Sequence, residues 1–448
     1  MPVPPRWVGR GLPARGGDPY RYAYAPGVDA TAALEATYRE HWGRLLALLL
    51  AQFRRLDLAE DALADAFTSA SQHWPKDGIP RNPAAWLLTA ARRRVLDRLR
   101  TEAVAARAEP LLRADAVVQA QAHPVTVDPG DVVNWPSDES GNQLLRLVLM
   151  CAHPSLAPES ASALSLRLVL GVSTRDIARL FLVPEATMAA RITRARKKLV
   201  VAGLPFDLPS EADLPPRLEV VGQVAYLAFT AGYAPGSGPD LLRADVAGEA
   251  VRLAAVVHDL LPREPLPTAL LALMVLQHSR RDARVNGQGR LVLLADQDRS
   301  LWHAGEIGRA LELLTPLVGA PLTGAARSYQ LQALLAAEHA IASTAAGTNW
   351  ARIAALYAEL ERHTGSPVVR LNRAVAVAEA DGPVAGLALL DGLDAPLDGN
   401  HRLPATRADL LRRVGRASEA REAYEVAIAM CGNGVERESL QQRWLELG

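Results

Sequence analysis

STRDIARLFLVPEATMAARITRARKKL, residues 173–199, predicts two short helices joined by a tight turn. Ser173 lies three residues before Asp176, and this spacing is typical of a capping box that begins a helix. Val183 and Pro184 interrupt the apolar period, because a proline cannot continue a helix. A second helix follows the proline, so the stretch has the spacing of a helix-turn-helix.

The second of these helices is predicted to have one apolar face and one cationic face. The apolar face is predicted to pack in the core and consists of Met188, Ile192, Ala195 and Leu199. The cationic side consists of Arg191, Arg194, Arg196, Lys197 and Lys198. Over residues 167–198, six arginines and two lysines outnumber the two acidic residues by six. Such a local excess of positive charge favours binding to a polyanion.

B-DNA offers a docking geometry for such a helix. Its major groove admits one α-helix, whose first residues reach base edges while flanking cations hold phosphates. The predicted base-proximal residues are Glu185, Thr187, Met188 and Arg191. The predicted phosphate contacts are Arg194, Lys197 and Lys198. The spacing alone also permits an ordinary helical hairpin with a basic surface.

The composition of the whole chain describes a protein that folds around a core. Its 448 residues are 49% hydrophobic and 22% charged, which excludes a disordered or fibrous chain. Lysine and arginine total 49, as do aspartate and glutamate, which excludes a uniformly cationic coat protein. Helical periodicity recurs from about residue 32 and strand-like alternation is nearly absent, so the predicted fold class is all-α.

Three features favour a cytoplasmic protein without a membrane anchor. Cys151 and Cys431 match neither a disulfide framework nor a CxxC metal spacing, so a reducing compartment is the simplest. The longest clean apolar run, residues 45–51, is far shorter than the ~18 residues that a membrane span needs. Residues 1–27 contain arginines and prolines but lack the apolar segment of a signal peptide.

Breaks in the helical period divide the chain into three bodies. Residues 1–31 are predicted to be a flexible leader, and residues 104–142 an acidic, proline-rich linker. A second linker with several prolines is predicted at residues 204–216. The bodies between these segments are residues 32–103, 143–203 and 217–448.

The first body is predicted to contain three helices, two of them strongly charged. The middle helix carries an acidic face of Glu60, Asp61 and Asp65. The third helix is predicted to bury Leu88, Ala91, Val95 and Leu99. Its exposed surface is crowded with Arg92, Arg93, Arg94, Arg98 and Arg100. Arginines at this density would attract a polyanion, although simple solvation also explains either charged face.

The third body shows a faint internal repeat. Gly382 and Gly415 lie at equivalent points of two similar segments, 33 residues apart. This interval is close to the ~34-residue period of a tetratricopeptide unit. Because stacked helix pairs leave a concave surface that suits a protein or peptide, we expect residues 217–448 to have an interaction or regulatory role.

The sequence contains no motif that predicts an enzyme, a cofactor or a metal site. Asp296 and Asp298 could form a carboxylate pair, but Asp298 is better explained as a helix N-cap. The histidines His258, His278, His303 and His339 lack the spacing of metal ligands. The chain is therefore expected to act by binding.

Together and in this order, the first two bodies resemble the extracytoplasmic-function group of bacterial RNA polymerase sigma factors. The resemblance to region 2 is carried by LEATYREHWGRLLALL, DLAEDALADAFTSASQHWP and NPAAWLLTAARRRVLDRLR. The resemblance to region 4 is carried by LVLMCAHPSLAPESASALSLRLVLGVSTRDIARLFLVPEATMAARITRARKKL. The helical remainder, including ALLALMVLQHSRRDAR and SPVVRLNRAVAVAEADGP, is similar to the tetratricopeptide-like extension of one subgroup.

This resemblance implies an alternative sigma factor that binds core RNA polymerase and promoter DNA. Glu60, Asp61 and Asp65 would dock on the clamp helices of the largest subunit, and region 4 would meet the flap region. The arginines of the third helix would face the −10 element, and the second helix of the helix-turn-helix would face the −35 element. The C-terminal extension would control activity and offer a surface to a soluble protein or peptide.

Two other interpretations remain open on the sequence. One is a helix-turn-helix regulator with a repeat-type sensor that never joins polymerase. The other is a scaffold whose repeats dominate and whose helix-turn-helix is vestigial. Promoter-specific initiation with core polymerase separates a sigma factor from the first, and DNA affinity that depends on Arg191 and Arg194 separates it from the second.

Overall fold

The computed structural model describes residues 29–108, 137–201, 206, 208–210, 212–233, 244–286, 292–432 and 434–447. The regular structure of these residues consists of eighteen α-helices and four short 3-10 helices, which confirms the predicted all-α class. The chain divides into two compact units, residues 1–135 and 136–448.

Three helices make up the first unit. They are α1 (Ala30–Phe53), α2 (Leu56–Asp77) and α3 (Pro83–Ala108). Asp29 caps α1, because its side chain accepts the amide of Thr31 at 3.0 Å. Helix α1 therefore begins inside the predicted leader, of which residues 1–28 lie outside the described part of the chain.

An aromatic cluster forms part of the core of this unit. Trp42 is 1% exposed, and its ring lies 5.9 Å from that of Phe67. Tyr38 lies 4.9 Å from both rings, and large aromatic side chains at these distances contribute much of the buried apolar area. The predicted buried stripe of α3 is confirmed for Leu88, Ala91 and Val95, whereas Leu99 is only half-buried.

Four helices at the start of the second unit contain the predicted helix-turn-helix. They are α4 (Ser137–Cys151), α5 (Pro158–Leu170), α6 (Thr174–Leu180) and α7 (Glu185–Val201). Both ends of the predicted linker at residues 104–142 are therefore helical, since α3 enters it and α4 starts within it. Its central residues 109–136 lie outside the described residues.

The rest of the second unit is a series of consecutive helices. They are α8 (Leu214–Tyr233), α9 (Ala244–Leu260), α10 (Pro265–His278), α11 (Ala304–Leu314), α12 (Gly324–Ile341), α13 (Trp350–Thr364), α14 (Pro367–Asp381), α15 (Pro383–Leu389), α16 (Arg402–Val414), α17 (Ala417–Met430) and α18 (Gly434–Leu445). Helix α10 has eleven buried residues and lies at the centre of the first half. Successive helices of the second half share apolar clusters, such as that of Leu371, Leu390 and Leu410.

The two predicted bodies of the second unit share one core. Ser162 Oγ of α5 donates a hydrogen bond to the Val224 carbonyl of α8 at 2.9 Å. Helix α5 has nine buried residues of thirteen, spread around its whole circumference. A helix that is apolar on all sides needs cover on all sides, and α8 and α9 provide it together with α4, α6 and α7. The predicted boundary at residues 204–216 thus falls inside one compact unit.

The two glycines of the predicted internal repeat each lie between two helices. Gly382 joins α14 to α15 with φ of +95°, and Gly415 joins α16 to α17 with φ of +86°. Glycine suits both turns because other residues rarely adopt positive φ. The two turns differ, because ψ is 159° at Gly382 and 11° at Gly415. Helix α15 has seven residues and α17 has fourteen, and the tetratricopeptide-like repeat stays a prediction.

None of the described helices combines the length and the apolar character that a membrane crossing requires.

Candidate nucleic-acid interface

The start of the helix-turn-helix is fixed by two hydrogen bonds of Ser173. Its Oγ accepts the backbone amide of Asp176 at 3.1 Å and donates to the Asp176 carboxylate at 2.6 Å. Gly171 ends the preceding helix with φ of +74°. The predicted capping position is therefore confirmed, and it sets where α6 begins.

A short left-handed turn separates α6 from α7. Leu182 has φ of +53°, a conformation that costs a non-glycine residue about 1–2 kcal/mol. The amide of Val183 donates to the Ala178 carbonyl at 3.1 Å, and the amide of Met188 donates to the Pro184 carbonyl at 3.1 Å. These bonds close the turn and start α7, so the predicted helix-turn-helix is present.

The apolar face of α7 is buried as predicted. Its buried residues are Met188, Ile192, Ala195 and Leu199. Met188 is 0% exposed, and this corrects its assignment as a base contact. Its position four residues before Ile192 places both side chains on the same core-facing stripe. A side chain enclosed in this core cannot reach a base edge.

The remaining predicted contacts of α7 lie on its accessible side. Glu185, Thr187, Arg194 and Lys197 are exposed, and Arg191 is half-buried. Within the described part of the chain, Arg191, Arg194 and Lys197 form no ion pair with an acidic side chain. Three cations therefore stand on one helix without a neutralising carboxylate.

Lys198 has a partner inside the unit. Its ammonium donates to the carbonyl of Ser155, in the loop before α5. Together with Arg191 and Arg194 it lines a cleft of about 370 Å³ between α7 and the start of α5, which Glu159 also lines. Arg175 of α6 is exposed as well, although the sequence prediction gave it no role because it considered only the second helix.

In the first unit, the acidic and basic faces meet. Arg98 of α3 contacts Asp61 at 3.2 Å and Asp65 at 2.9 Å, and both carboxylates belong to α2. Arg94 lies 3.5 Å from the same Asp65 carboxylate. All four side chains are at least 38% exposed, so each pair contributes only about 0–1 kcal/mol. The pairing of α2 with α3 is not visible in the separate charge patterns of the two helices.

Glu60 does not belong to the exposed acidic face. It is 4% exposed, so the structure corrects its assignment as a polymerase contact. Glu60 lies four residues after Leu56 and three before Leu63, both buried, so it belongs to the core-facing side of α2. Asp61 and Asp65 remain accessible, with exposed side-chain fractions of 67% and 44%.

The other arginines of α3 differ in their surroundings. Arg93 is exposed, and Arg100 is exposed and lies 3.2 Å from Asp97. Arg92 is half-buried, and burial lowers the pKa of its guanidinium. The arginines of α3 are therefore not equally accessible: Arg93 and Arg100 are exposed, and Arg92 is half-buried.

The residues that could have suggested catalysis have structural partners. Asp298 accepts the amide of Ser300 at 2.9 Å, which confirms the N-cap interpretation, here of a 3-10 helix at residues 299–301. His278 lies 2.5 Å from the hydroxyl of Tyr233, and burial lowers its pKa to about 4. A buried neutral histidine bonded to a tyrosine stabilises the packing of α8 against α10.

Three family models match successive parts of the chain. The model of sigma-70 region 2 matches residues 37–104, and that of sigma-70 region 4 matches residues 146–199. A family of unknown function, DUF6596, matches residues 217–340. The chain therefore belongs to the sigma-70 family of transcription initiation factors and carries a C-terminal extension. Its two sigma regions serve promoter recognition.

One relative matches most of the chain. An uncharacterized protein of Rhizobium meliloti (strain 1021) is 41% identical over 388 residues. The match covers 87% of this chain and 89% of the relative. No solved structure matches the chain.

Proposed function

We propose that this protein is an alternative sigma factor of the extracytoplasmic-function group, which binds core RNA polymerase and directs initiation at promoters with −10 and −35 elements. The observation that carries the proposal is the exposed cationic side of α7 in a chain with 49 basic and 49 acidic residues. The protein as a whole has equal numbers of acidic and basic residues, yet cations without acidic partners are concentrated on the second helix of the helix-turn-helix. This charge distribution is typical of a DNA-binding protein.

The −35 element is read by the first half of α7. Glu185, Thr187 and Arg191 would contact base edges, and Arg194 and Lys197 would contact phosphates. The accessibility of these side chains supports both roles. Lys198, which lines the cleft, contributes further positive charge near the DNA. Its hydrogen bond to the Ser155 carbonyl also holds the loop before α5. Met188 supports this helix from the core instead of touching DNA.

The −10 element is met by the arginine surface of α3. Arg93 and Arg100 are exposed, and Arg94 and Arg98 hold acidic partners that a phosphate backbone can replace. Weak exposed pairs exchange readily, because each contributes no more than about 1 kcal/mol. Arg92 acts from a half-buried position and supports the exposed arginines.

Core polymerase docks on α2 through Asp61 and Asp65. These carboxylates protrude from the helix and contact the α3 arginines, so polymerase and the −10 element bind adjacent surfaces. The partner on the polymerase is the clamp-helix region of the largest subunit. Helices α4 to α7 meet the flap region. The protein works in the cytoplasm as a binding protein.

The C-terminal extension controls region 4 by direct packing. Arg217 of α8 donates to the Leu149 carbonyl at 2.5 Å, and Arg252 of α9 donates to the Leu170 carbonyl at 3.2 Å. A ligand or soluble protein partner on the tetratricopeptide-like helices can act on the DNA-reading helices through this shared core.

The docking surface is tested by reversing one charge. Asp61→Arg is expected to abolish co-purification with core polymerase, because it places a cation where a carboxylate is proposed to contact the clamp helices. Its melting temperature should stay within a few degrees of wild type, since Asp61 is 67% exposed.

Asp77→Arg is the matched control. It makes the same charge change at the exposed end of α2, and its co-purification should equal that of wild type. Undiminished co-purification of Asp61→Arg would show that α2 is not the docking surface.

A further inference from the structure

Three ionisable side chains converge at the ends of the last three helices. His401 directly precedes α16, Cys431 follows the last residue of α17, and Glu436 lies in the first turn of α18. Their ligand atoms, a ring nitrogen, a sulfur and a carboxylate oxygen, all lie within 4.8 Å of one another. His401 Nε2 and Glu436 Oε2 are 2.9 Å apart.

We propose that His401, Cys431 and Glu436 form a binding site for a divalent zinc-type cation. Thiolate, imidazole and carboxylate are the side chains that hold zinc in proteins. Two ligands on a tetrahedral zinc are about 3.5 Å apart, given bond lengths of about 2.0–2.3 Å. The His401–Glu436 separation of 2.9 Å is shorter than this value and no separation exceeds 4.8 Å, so small rotations of the three side chains would bring them into coordination.

The burial of the three residues suits such a site. Cys431 is 1% exposed, whereas the side chains of His401 and Glu436 are 22% and 25% exposed. The sulfur therefore lies on the protein side, and the nitrogen and oxygen lie toward the outside. A cation can enter from the solvent-accessible side at His401 and bind the buried thiolate of Cys431.

The neighbouring arginines hold this geometry without blocking it. Arg437 donates to the carbonyl of Cys431 through Nε at 3.0 Å and Nη2 at 2.5 Å, which fixes the turn between α17 and α18. Arg402 lies 3.5 Å from the other oxygen of Glu436 and is 68% exposed, so it can turn into water when a cation arrives. Outer partners of this kind orient the ligands of metal sites.

The site lies on the wall of a cavity. His401 and Glu436 line a cavity of about 460 Å³ between α14, α16 and α18, which Arg413 and Arg443 also line. Three protein ligands leave a fourth position on a tetrahedral cation, as in zinc sites that bind an additional ligand. That position suits water or another small ligand from the cavity. Asp409 also lines the cavity and lies 4.0 Å from both Arg413 and Arg443, so the charge of the two arginines is already balanced.

The inference does not depend on the proposed function, because it concerns only the last three helices. Bound metal would join α16, α17 and α18 at one point and stabilise the C-terminal end of the fold, since metal binding is coupled to folding. It would also release the thiol proton of Cys431, because cysteine binds zinc as the thiolate.

The experiment is a titration of the metal-free, reduced full chain with Co²⁺ as an optical probe, followed by competition with Zn²⁺. We expect one equivalent to bind with a sulfur-to-cobalt charge-transfer band and to raise the melting temperature. Cys431→Ser should lose the band and weaken Zn²⁺ binding by about 100-fold or more, since even outer-shell changes cost about 10–100-fold.

Cys151→Ser is the matched control. It removes the other buried cysteine, which lies in α4 outside this cluster, and should bind the metal like wild type. His401→Gln and Glu436→Gln, each checked for a native circular dichroism spectrum, should also weaken binding. The proposal is overturned if the wild-type chain shows no saturable one-to-one binding, or if Cys431→Ser and His401→Gln bind the metal as tightly as the wild-type chain does.

Discussion

Lys197 lies on the exposed side of α7, and no described acidic residue forms an ion pair with it. Arg191 lies six residues, about one and two-thirds turns, earlier and is half-buried beside the cleft that Glu159 lines. The first position suits a phosphate contact, which carries no sequence information, and the second suits a base contact. The two residues should therefore respond differently to substitution.

Lys197→Ala is expected to weaken binding to all DNA sequences by a similar factor and to reduce the slope of log K against log salt by about 1. Arg191→Ala and Thr187→Ala should instead change which −35 sequence is preferred, at a cost of about 1–3 kcal/mol for the preferred site. Fluorescence anisotropy over a salt series, with several −35 sequences, measures both effects.

Arg362→Ala is the control for this series, since Arg362 is an exposed arginine of α13. It should change neither affinity nor preference. If all the α7 variants kept the sequence preference of wild type, base reading would have to be assigned to other residues.

Two residues of the predicted site, Met188 and Glu60, are buried, and both errors have one cause. Met188 was assigned both to the core and to DNA, and Glu60 was grouped with Asp61 because they are neighbours in the chain. Adjacent residues differ by about 100° around a helix. The exposure or charge of one residue therefore says little about which way the side chain of the next residue points. The packing of the whole helix decides it, as the burial of both side chains shows.

At the scale of the elements, close helix contacts depend on glycine. A Cβ atom on Gly386 of α15 would lie 2.6 Å from Ala378 Cβ and 2.7 Å from the Ala374 carbonyl oxygen, both of α14. A Cβ atom on Gly308 of α11 would meet nothing within 4 Å. The same substitution should therefore have opposite effects in the two helices.

Gly386→Ala is expected to destabilise the protein by about 1–3 kcal/mol, because α14 and α15 would have to move apart. Gly308→Ala should stabilise it by up to about 1 kcal/mol, because alanine is the better helix former and no contact opposes it. Urea unfolding of the full chain measures both. If Gly386→Ala left the free energy of unfolding unchanged, α15 would be able to move away from α14 without loss of stability.

Helix positions were more predictable than helix partners. Ser173, Pro184 and Gly415 mark helix ends through local chemistry, and the structure has helix ends at each of them. The pairing of Arg98 with Asp61 and Asp65 joins residues more than thirty positions apart, and periodicity within one helix contains no information about it. Nor did the sequence suggest that His401, Cys431 and Glu436 meet, because their spacing matches no metal motif.

For the whole molecule, the main result is that region 4 and the C-terminal extension share a core. The prolines at residues 205–216 predict a linker, yet α5 buries small and apolar residues on every side and needs α8 and α9 as neighbours. Composition locates a break in the helical period, but it does not say whether the helices on either side pack together.

A chain truncated after residue 210 is therefore expected to lose much of the stability of region 4. Hydrogen exchange should show protection of α5 amides reduced by at least about 10-fold, because the surface that covers α5 is gone. A chain that begins at residue 136 is the matched control, since it keeps the second unit intact. Equal α5 protection in the truncated and full chains would mean that region 4 folds independently.

The central claim is that this chain gives core RNA polymerase promoter specificity. The most direct measurement is run-off transcription with purified bacterial core enzyme, native promoter fragments and this protein as the only added factor. Core alone and core with Asp61→Arg serve as controls. The account predicts a discrete promoter-specific transcript with the wild-type protein and none with either control. Sequence-specific DNA binding without any transcript from the native promoters would contradict it and would favour a regulator that does not join polymerase.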